Sequence, residues 1–335
     1  MLYIRVDMNN QIATGHVMRC LAIADASKML GEDVSFILAD NQASGFIKER
    51  GYQTIILHSM WNDMITELKK LIEIIQERKI TKLLIDSYQV TAQYLETLKK
   101  FTKIIYIDDL HAFQYPANAI ICYANYWEKF HYEKFYKDTK LYLGMQYVPL
   151  QKPFSHSTRK IIKRDVGSIL LLSGGTDPYH VLKNILNEIH LENYKQINVI
   201  CGVFYPEYED LCKKYKNNKN VQIYQNVSNI VHFMKEADLA VSAGGTTLYE
   251  LCAIGTPTIS YSFADNQLDN VKKFDEDGLI PYAGDLRKDP VIKHVIDYLE
   301  SYRHNWKYRR EISLHMQELV DGKGAMRIAK ALMDE

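Results

Sequence analysis

Short apolar runs alternate with longer amphipathic stretches along most of this chain, and midway the pattern begins again. In the first half the short runs are Leu2–Val6, Val34–Ala39, Thr54–Leu57, Leu83–Ile85, Ile104–Ile107 and Ile120–Cys122. In the second they are Ile169–Leu172, Ile197–Cys201, Val221–Tyr224, Leu239–Val241 and Thr258–Tyr261. Helical spacing lies between them, clearest over 61–78 and 91–101. Such alternation builds parallel sheets covered by helices on both faces. A length of 335 residues also exceeds what one core usually serves.

The expected architecture is therefore α/β, with two Rossmann-like domains. The first covers residues 1–150 and the second 165–335. The stretch 151–164, within "VPLQKPFSHSTRKIIKRD", is read as a linker because it carries prolines and basic polar residues. After about residue 287 the pattern is helical only, which predicts two or three helices packed around the second domain.

Open parallel sheets bind ligands at the carboxyl ends of their strands. In the first half those ends carry Asp7 and then Gly15-His16, "DSY" at 86–88, and Asp108-Asp109. In the second they carry "SGGTD" at 173–177 and "SAGGTTLYE" at 242–250. Both glycine loops read as one design: a strand ends, paired glycines let a ligand approach the backbone, and a hydroxyl residue opens a helix. Free N–H groups at such a helix start hold anionic oxygens. Two loops of this kind in one domain suit a diphosphate, bound by Gly174, Gly175, Thr176, Gly244, Gly245, Thr246 and Thr247. Glu250 follows within one to two helical turns, where a carboxylate can accept hydrogen bonds from ribose hydroxyls. Neither GxxxxGK[ST] nor GxGxxG is present.

His16 stands where the first strand turns into a helix marked by Val17, Cys20, Leu21 and Ala24. The positive end of that helix disfavours a charged ring. The carboxylates Asp7, Asp86, Asp108 and Asp109, where they lie close, pull the other way. A neutral imidazole there can take a proton from water. Arg19, one turn later on the same face, either steadies a carboxylate or phosphate or pairs at the surface. Asp108 and Asp109 either bind sugar groups or cap a helix. The aromatic stretch 123–136 reads as core or interface.

The order and spacing of these motifs carry a resemblance. "GHVMRC" after the first strand, "DSY", "IDD" at 107–109, "SGGTD", "SAGGTTLYE" and "NQ" at 266–267 together resemble the UDP-2,4-diacetamido-2,4,6-trideoxy-β-L-altropyranose hydrolases of pseudaminic acid biosynthesis. The resemblance runs over roughly residues 1–270, and "VDGKGAMRIA" at 320–329 looks like the tail of longer members. It implies a GT-B-like fold, similar to the lipid-linked GlcNAc transferase of peptidoglycan synthesis, with two sheets facing across a cleft. It implies attack of water at the anomeric carbon, with inversion and release of UDP. His16 matches the catalytic histidine; Tyr88 and Asn266 match further active-site positions. Asp7, Gly15, Arg19, Asp86, Asp108, Asp109 and Gln267 are the expected sugar contacts. The chain departs from the family's GxGH loop, having Ala13-Thr14-Gly15-His16, and Ser87 stands where some members have His.

Other features narrow the function class. Lys+Arg and Asp+Glu number 41 each, so no excess of positive charge favours nucleic acid. No apolar run approaches the roughly 20 residues that span a bilayer, and the first residues lack the pattern of a signal peptide. The five cysteines are scattered and never in CxxC spacing, as in a reduced, cytoplasmic protein. His156, His180, His190 and His232 lack metal-ligand spacing and HExxH is absent, so neither a metal nor another cofactor is expected. The expected partner is a small UDP-amino sugar. A glycosyltransferase on the same scaffold is the alternative to the hydrolase. A hydrolysing 2-epimerase and a non-catalytic binding module fit less well, the first in motif order, the second because it has no need of a base.

Overall fold

The computed structural model describes residues 1–9, 11–12, 14–155, 158–202, 205–227 and 229–334. Ala13 and His156, weighed above, lie outside this set. The chain forms two compact units. One is Met1–Lys152 together with the segment from Gly322 onward; the other is Pro153–Asp321.

The first unit holds a seven-stranded sheet of β1 (Leu2–Val6), β2 (Val34–Leu38), β3 (Gln53–Ile56), β4 (Lys82–Asp86), β5 (Lys103–Ile107), β6 (Ala119–Cys122) and β7 (Lys140–Leu143). The order is β3-β2-β1-β4-β5-β6-β7 and every pairing is parallel. Strands β1 and β2 are buried at every residue, which is why they read as unbroken apolar runs. The order reverses between β1 and β4, where Val6 is the register partner of Asp86. The chain leaves these two strands side by side and departs in opposite directions, which opens a crevice at the carboxyl edge.

The second unit repeats the plan with six parallel strands. These are β8 (Ser168–Leu172), β9 (Gln196–Cys201), β10 (Val221–Gln225), β11 (Leu239–Ala243), β12 (Thr258–Ser262) and β13 (Tyr282–Asp285), in the order β10-β9-β8-β11-β12-β13. Here the reversal lies between β8 and β11, with Leu172 opposite Ser242. Both glycine loops leave from this one place. Two strands escape the apolar pattern, β7 ("KLYL") and β13 ("YAGD"). Each is a four-residue edge strand, and β7 is only partly buried.

The end of the chain departs from expectation. Helices Val291–His304 and Trp306–Leu319 do pack on the second unit, through Val291, Val295, Leu299 and Ile312. The last helix, Gly324–Met333, instead returns to the first unit. Its Ala325 and Ala329 meet Ala22 and Ala26 of helix Gly15–Met29. Alanines on both sides let the two helices approach closely. Lys82 Nζ donates to the Leu332 carbonyl at 2.7 Å, and Arg327 Nη1 to that of Gln146 at 2.9 Å. The domain expected over 165–335 therefore loses its last helix to the first.

Nor is the stretch 151–164 a free linker. Fully buried Arg309 donates to the carbonyls of Lys163 (3.0 Å) and Arg164 (2.6 Å). Trp306 Nε1 donates to the Ile162 carbonyl at 2.9 Å, and Lys160 N to Gln317 Oε1 at 3.0 Å. These bonds strap the stretch onto the second unit. Among the described residues, no helix is long and apolar enough to cross a membrane.

Docking of the last helix rests on Gly324. A Cβ there would lie 2.2 Å from the Val148 carbonyl oxygen and 2.6 Å from the Tyr147 carbonyl carbon, both backbone atoms that cannot swing aside. Gly324→Ala is expected to cost about 1–3 kcal/mol of stability, measured as a lowered denaturant midpoint. An unchanged midpoint would contradict this close approach.

Candidate active site

Around the β1–β4 reversal, five of the expected residues meet. Helix Gly15–Met29 carries His16 and Arg19 on one face, three residues apart. Asp86, at the end of β4 and almost wholly buried, receives both: His16 Nδ1 lies 2.6 Å from Oδ1, and Arg19 Nε donates to Oδ2 at 2.6 Å. Arg19 Nη2 also donates to Asp86 Oδ1, and Nη1 donates to Asp109 Oδ2 at 3.1 Å. Tyr88 donates its hydroxyl to the same Asp109 oxygen at 2.9 Å and sets its ring edge-on to His16, with centroids 4.7 Å apart. Gly15 leaves open space beside this group, with nothing within 4 Å of where a Cβ would lie.

The charges decide the protons. Burial pushes the Asp86 carboxyl up, but Arg19 and His16 outweigh it and hold the group well below the usual carboxylate range. Asp86 is thus an anion, and an anion 2.6 Å from a ring nitrogen requires a proton between them. His16 Nδ1–H donates to Asp86. The 3.0 Å separation of Nδ1 from Arg19 Nη2 is then that of two donors converging on one oxygen. In the neutral ring this leaves Nε2 with its lone pair. Burial, reinforced by Asp109, raises the Tyr88 phenol well above its ordinary range, so it remains a donor.

Two expected carboxylates sit elsewhere. Asp7 pairs with Arg5 at 2.5 Å and accepts from Ala39 N at 2.8 Å. Arg5 is also held by Glu67 at 2.8 Å, which in turn accepts from Tyr94. Asp7 thus neutralises a buried arginine on its own strand. Asp108 caps a turn, accepting from the N–H groups of Leu110 (3.0 Å) and His111 (2.9 Å) and from the Tyr132 hydroxyl. Conversely, two members of the aromatic stretch expected to be core or interface join this group: Tyr123, which accepts from Arg19 Nη1, and Tyr126, which donates to the Asp109 carbonyl at 2.9 Å. Their signal was position, just past the carboxyl end of β6. Elsewhere in that stretch Phe130, Tyr132 and Tyr136 are buried in the core, whereas Phe135 is 47% exposed.

In the second unit the two glycine loops differ. Helix Val181–Glu188 starts well after Gly175, and Asp177 takes its first amides, Val181 N at 2.9 Å and Leu182 N at 3.0 Å. Thr176 does not open a helix, which corrects the reading of this loop. What the loop keeps is a tight fit: a Cβ on Gly202 would fall 2.1 Å from the Gly174 carbonyl oxygen. The second loop does open a helix, Thr247–Ile254, with Thr246 as its N-cap. Among the described residues, the backbone N–H groups of Thr246 and Thr247 find no partner. Gly245 faces open space, whereas Gly244 is needed by the chain itself, since a Cβ there would meet Val271 Cγ1 at 2.4 Å. Glu250, in the first turn, has no hydrogen-bond partner among the described residues, and burial pushes its carboxyl up to about 7. Asn266 is exposed in the first turn of helix Asp265–Glu276, and Gln267 Oε1 accepts from Phe263 N at 3.0 Å.

The raised Glu250 carboxyl fixes a sign. A carboxyl whose folded value lies above its unfolded one, about 4.3, stabilises the fold fully below that pH and loses the contribution as pH rises through 7. Glu250→Gln is therefore expected to raise stability at pH 8 by about 1–3 kcal/mol and leave it unchanged at pH 4. Denaturant midpoints at the two pH values check this; a variant less stable at pH 8 would reveal an ionic partner for Glu250.

Residues 159–314 match the family described as glycosyl transferases group 1. The chain is 25% identical to the spore coat polysaccharide biosynthesis protein SpsG of Bacillus subtilis over 334 residues, 96% of this chain and 94% of that protein. It is 28% identical over 272 residues to the pseudaminic acid cytidylyltransferase and UDP-2,4-diacetamido-2,4,6-trideoxy-beta-L-altropyranose hydrolase of Helicobacter pylori. That match covers 79% of this chain but 45% of the relative, so the chain spans less than half of it. In structure it is similar to MurG of Acinetobacter baumannii, with a TM-score of 0.69 and 12% identity over 100% of this chain and 99% of that one. The two parallel-sheet units are those of the GT-B fold.

Proposed function

We propose that this chain transfers a sugar from a nucleoside diphosphate to an oxygen nucleophile that His16 deprotonates. The observation that carries this reading is the His16–Asp86 pair. A buried anion fixes one ring nitrogen as donor, so the other is free to accept a proton. In this reading the second unit holds the diphosphate on the Thr246 and Thr247 amides beside Gly245, with Gly174 and Gly175 close by. Glu250 accepts from the ribose, and the base is uracil. As the diphosphate leaves, the anomeric carbon gains positive character and the loop amides take up the negative charge. The nucleophile then enters from the opposite face, with inversion. Arg19, Tyr88 and Asp109 position the histidine and the sugar; Tyr88, held as a phenol, takes no proton. Asn266 is assigned to the sugar.

Two nucleophiles are in play. A sugar or lipid-linked hydroxyl is the reading that the transferase family match over 159–314 supports. Water is the second reading. It rests on the similarity to the Helicobacter pylori protein, whose name includes a UDP-diacetamido-sugar hydrolase, and would make the product a free 2,4-diacetamido-2,4,6-trideoxyhexose.

A panel of UDP-amino sugars followed by NMR, with and without acceptor glycans, separates them. A new glycoside means transfer; a free sugar formed at the same rate without acceptor means hydrolysis. His16→Asn is expected to keep UDP affinity and lower kcat by roughly two to four orders of magnitude in either case. In ¹⁸O-water a hydrolase should place label on the sugar. Label on UDP, or a His16→Asn variant of normal kcat, would overturn the role given to His16.

A further inference from the structure

Four neighbouring strands of the first unit each deliver one polar group to the same carboxyl edge. In the order β1-β4-β5-β6 these are Arg19 on the helix after β1, Asp86 at the end of β4, Asp109 just past β5, and Tyr123 just past β6. Arg19 joins the other three. Its Nε and Nη2 occupy both Asp86 oxygens, as a side-on pair. Its Nη1 carries two hydrogens. One is donated to Asp109 Oδ2 at 3.1 Å and the other to the Tyr123 hydroxyl oxygen. The far end of the guanidinium is thus divided between an anion and a phenol. Tyr123 is 3% exposed, and burial raises its phenol above its ordinary range, so it stays neutral.

That division has a consequence because Asp109 can accept more. Its Oδ1 is buried and has no partner among the described residues. A guanidinium N–H left without an acceptor in so dry a pocket is costly. Without the Tyr123 oxygen, the second Nη1 hydrogen is drawn to the vacant Asp109 oxygen. The guanidinium is a rigid plane, so it cannot turn toward one carboxylate without loosening its hold on the other. Tyr123 therefore opposes a shift of Arg19 from Asp86 to Asp109.

We propose that Tyr123 is a positioning residue: it holds Arg19 on Asp86, and through that pair keeps the His16 ring in the neutral form that accepts a proton. The less Arg19 compensates Asp86, the more that carboxylate, 2.6 Å from Nδ1, favours a charged ring. The groups around the ring come from four elements. Its own helix brings Arg19 and Cys20, whose thiol donates to Asp86 Oδ2 at 3.4 Å. The end of β4 brings Asp86 and then Tyr88, which is bonded to Asp109 beyond β5. Beyond β6 stand Tyr123 and Tyr126. Arg19 is the one cation of this group, so its placement sets the balance against two carboxylates. The proposal rests on the reading of His16 as the base only where it concerns rate.

Tyr123→Phe in the full chain tests it, since it keeps the ring, whose centroid lies 5.5 Å from Arg19 Cζ, and removes the acceptor. The first readout needs no substrate. The Arg19 Nε–H resonance, identified by its loss in Arg19→Lys, is expected to move in Tyr123→Phe toward that of a solvated arginine. The second is the pH profile of kcat/KM on the UDP-sugar turned over in the panel above. Its acid limb is expected to shift upward by about 0.5–1 pH unit, which loss of folded protein alone does not produce. Should Tyr123→Phe fail to fold, 3-fluorotyrosine at position 123 keeps the hydroxyl but weakens it as an acceptor, and smaller shifts in the same directions are expected. An unmoved Arg19 resonance in the folded variant overturns the proposal. So does an unmoved acid limb in an enzyme whose rate His16→Asn abolishes. If His16→Asn keeps its rate, the reading of His16 as the base fails instead, and the Arg19 resonance alone decides the placement of Arg19 by Tyr123.

Discussion

One buried guanidinium organises the first unit's candidate site. Arg19 reaches Asp86 with two nitrogens and both Asp109 and Tyr123 with the third. Without it, two carboxylates would lie close together in a nearly dry pocket, and at least one would take a proton. With it, Asp86 stays ionised. Everything assigned to His16 follows from that charge: which nitrogen carries the proton, which way the ring is held, and which nitrogen remains to act. Arg19 is itself held only because helix Gly15–Met29 starts beside the end of β4, a consequence of the strand order reversing there. The same helix carries the alanines against which the last helix docks. The fold's closing contact and the site's central cation are thus borne by one element.

The second unit reaches a related end by other means. Its glycine loops also leave from a reversal, between β8 and β11. One loop places its helix amides on its own Asp177; in the other, two amides and a carboxyl have no partner among the described residues. Free N–H donors are therefore found at the second loop, while the first is held by backbone packing. The cost of keeping Glu250 half-buried and unpaired is consistent with a group that waits for ligand hydroxyls.

Much of this was legible in the residues. The central strands are buried on both faces and therefore announce themselves as apolar runs; edge strands β7 and β13 do not. His16, Arg19, Asp86 and Tyr88 were legible as a group because helix spacing and strand ends bring them to one edge. Asp7 looked equivalent to Asp86, since both close a strand. The difference is Arg5, two residues before Asp7 on the same side of β1, which has already claimed it. Asp177 was read as part of a phosphate loop, although an Asp-Pro pair four residues before a helix also reads as a cap. The return of the last helix was not legible at all, because alanines at helical spacing do not say which partner they will meet.

Asp86 fixes the His16 ring with its proton on Nδ1. Imidazole ¹⁵N NMR at pH 8 reads this directly, with the His16 signals identified by their loss in His16→Asn. A protonated Nδ1 and a bare Nε2 are expected, with that preference weakened in Asp86→Asn. A ring protonated at Nε2 instead, or one indifferent to Asp86→Asn, would contradict the account.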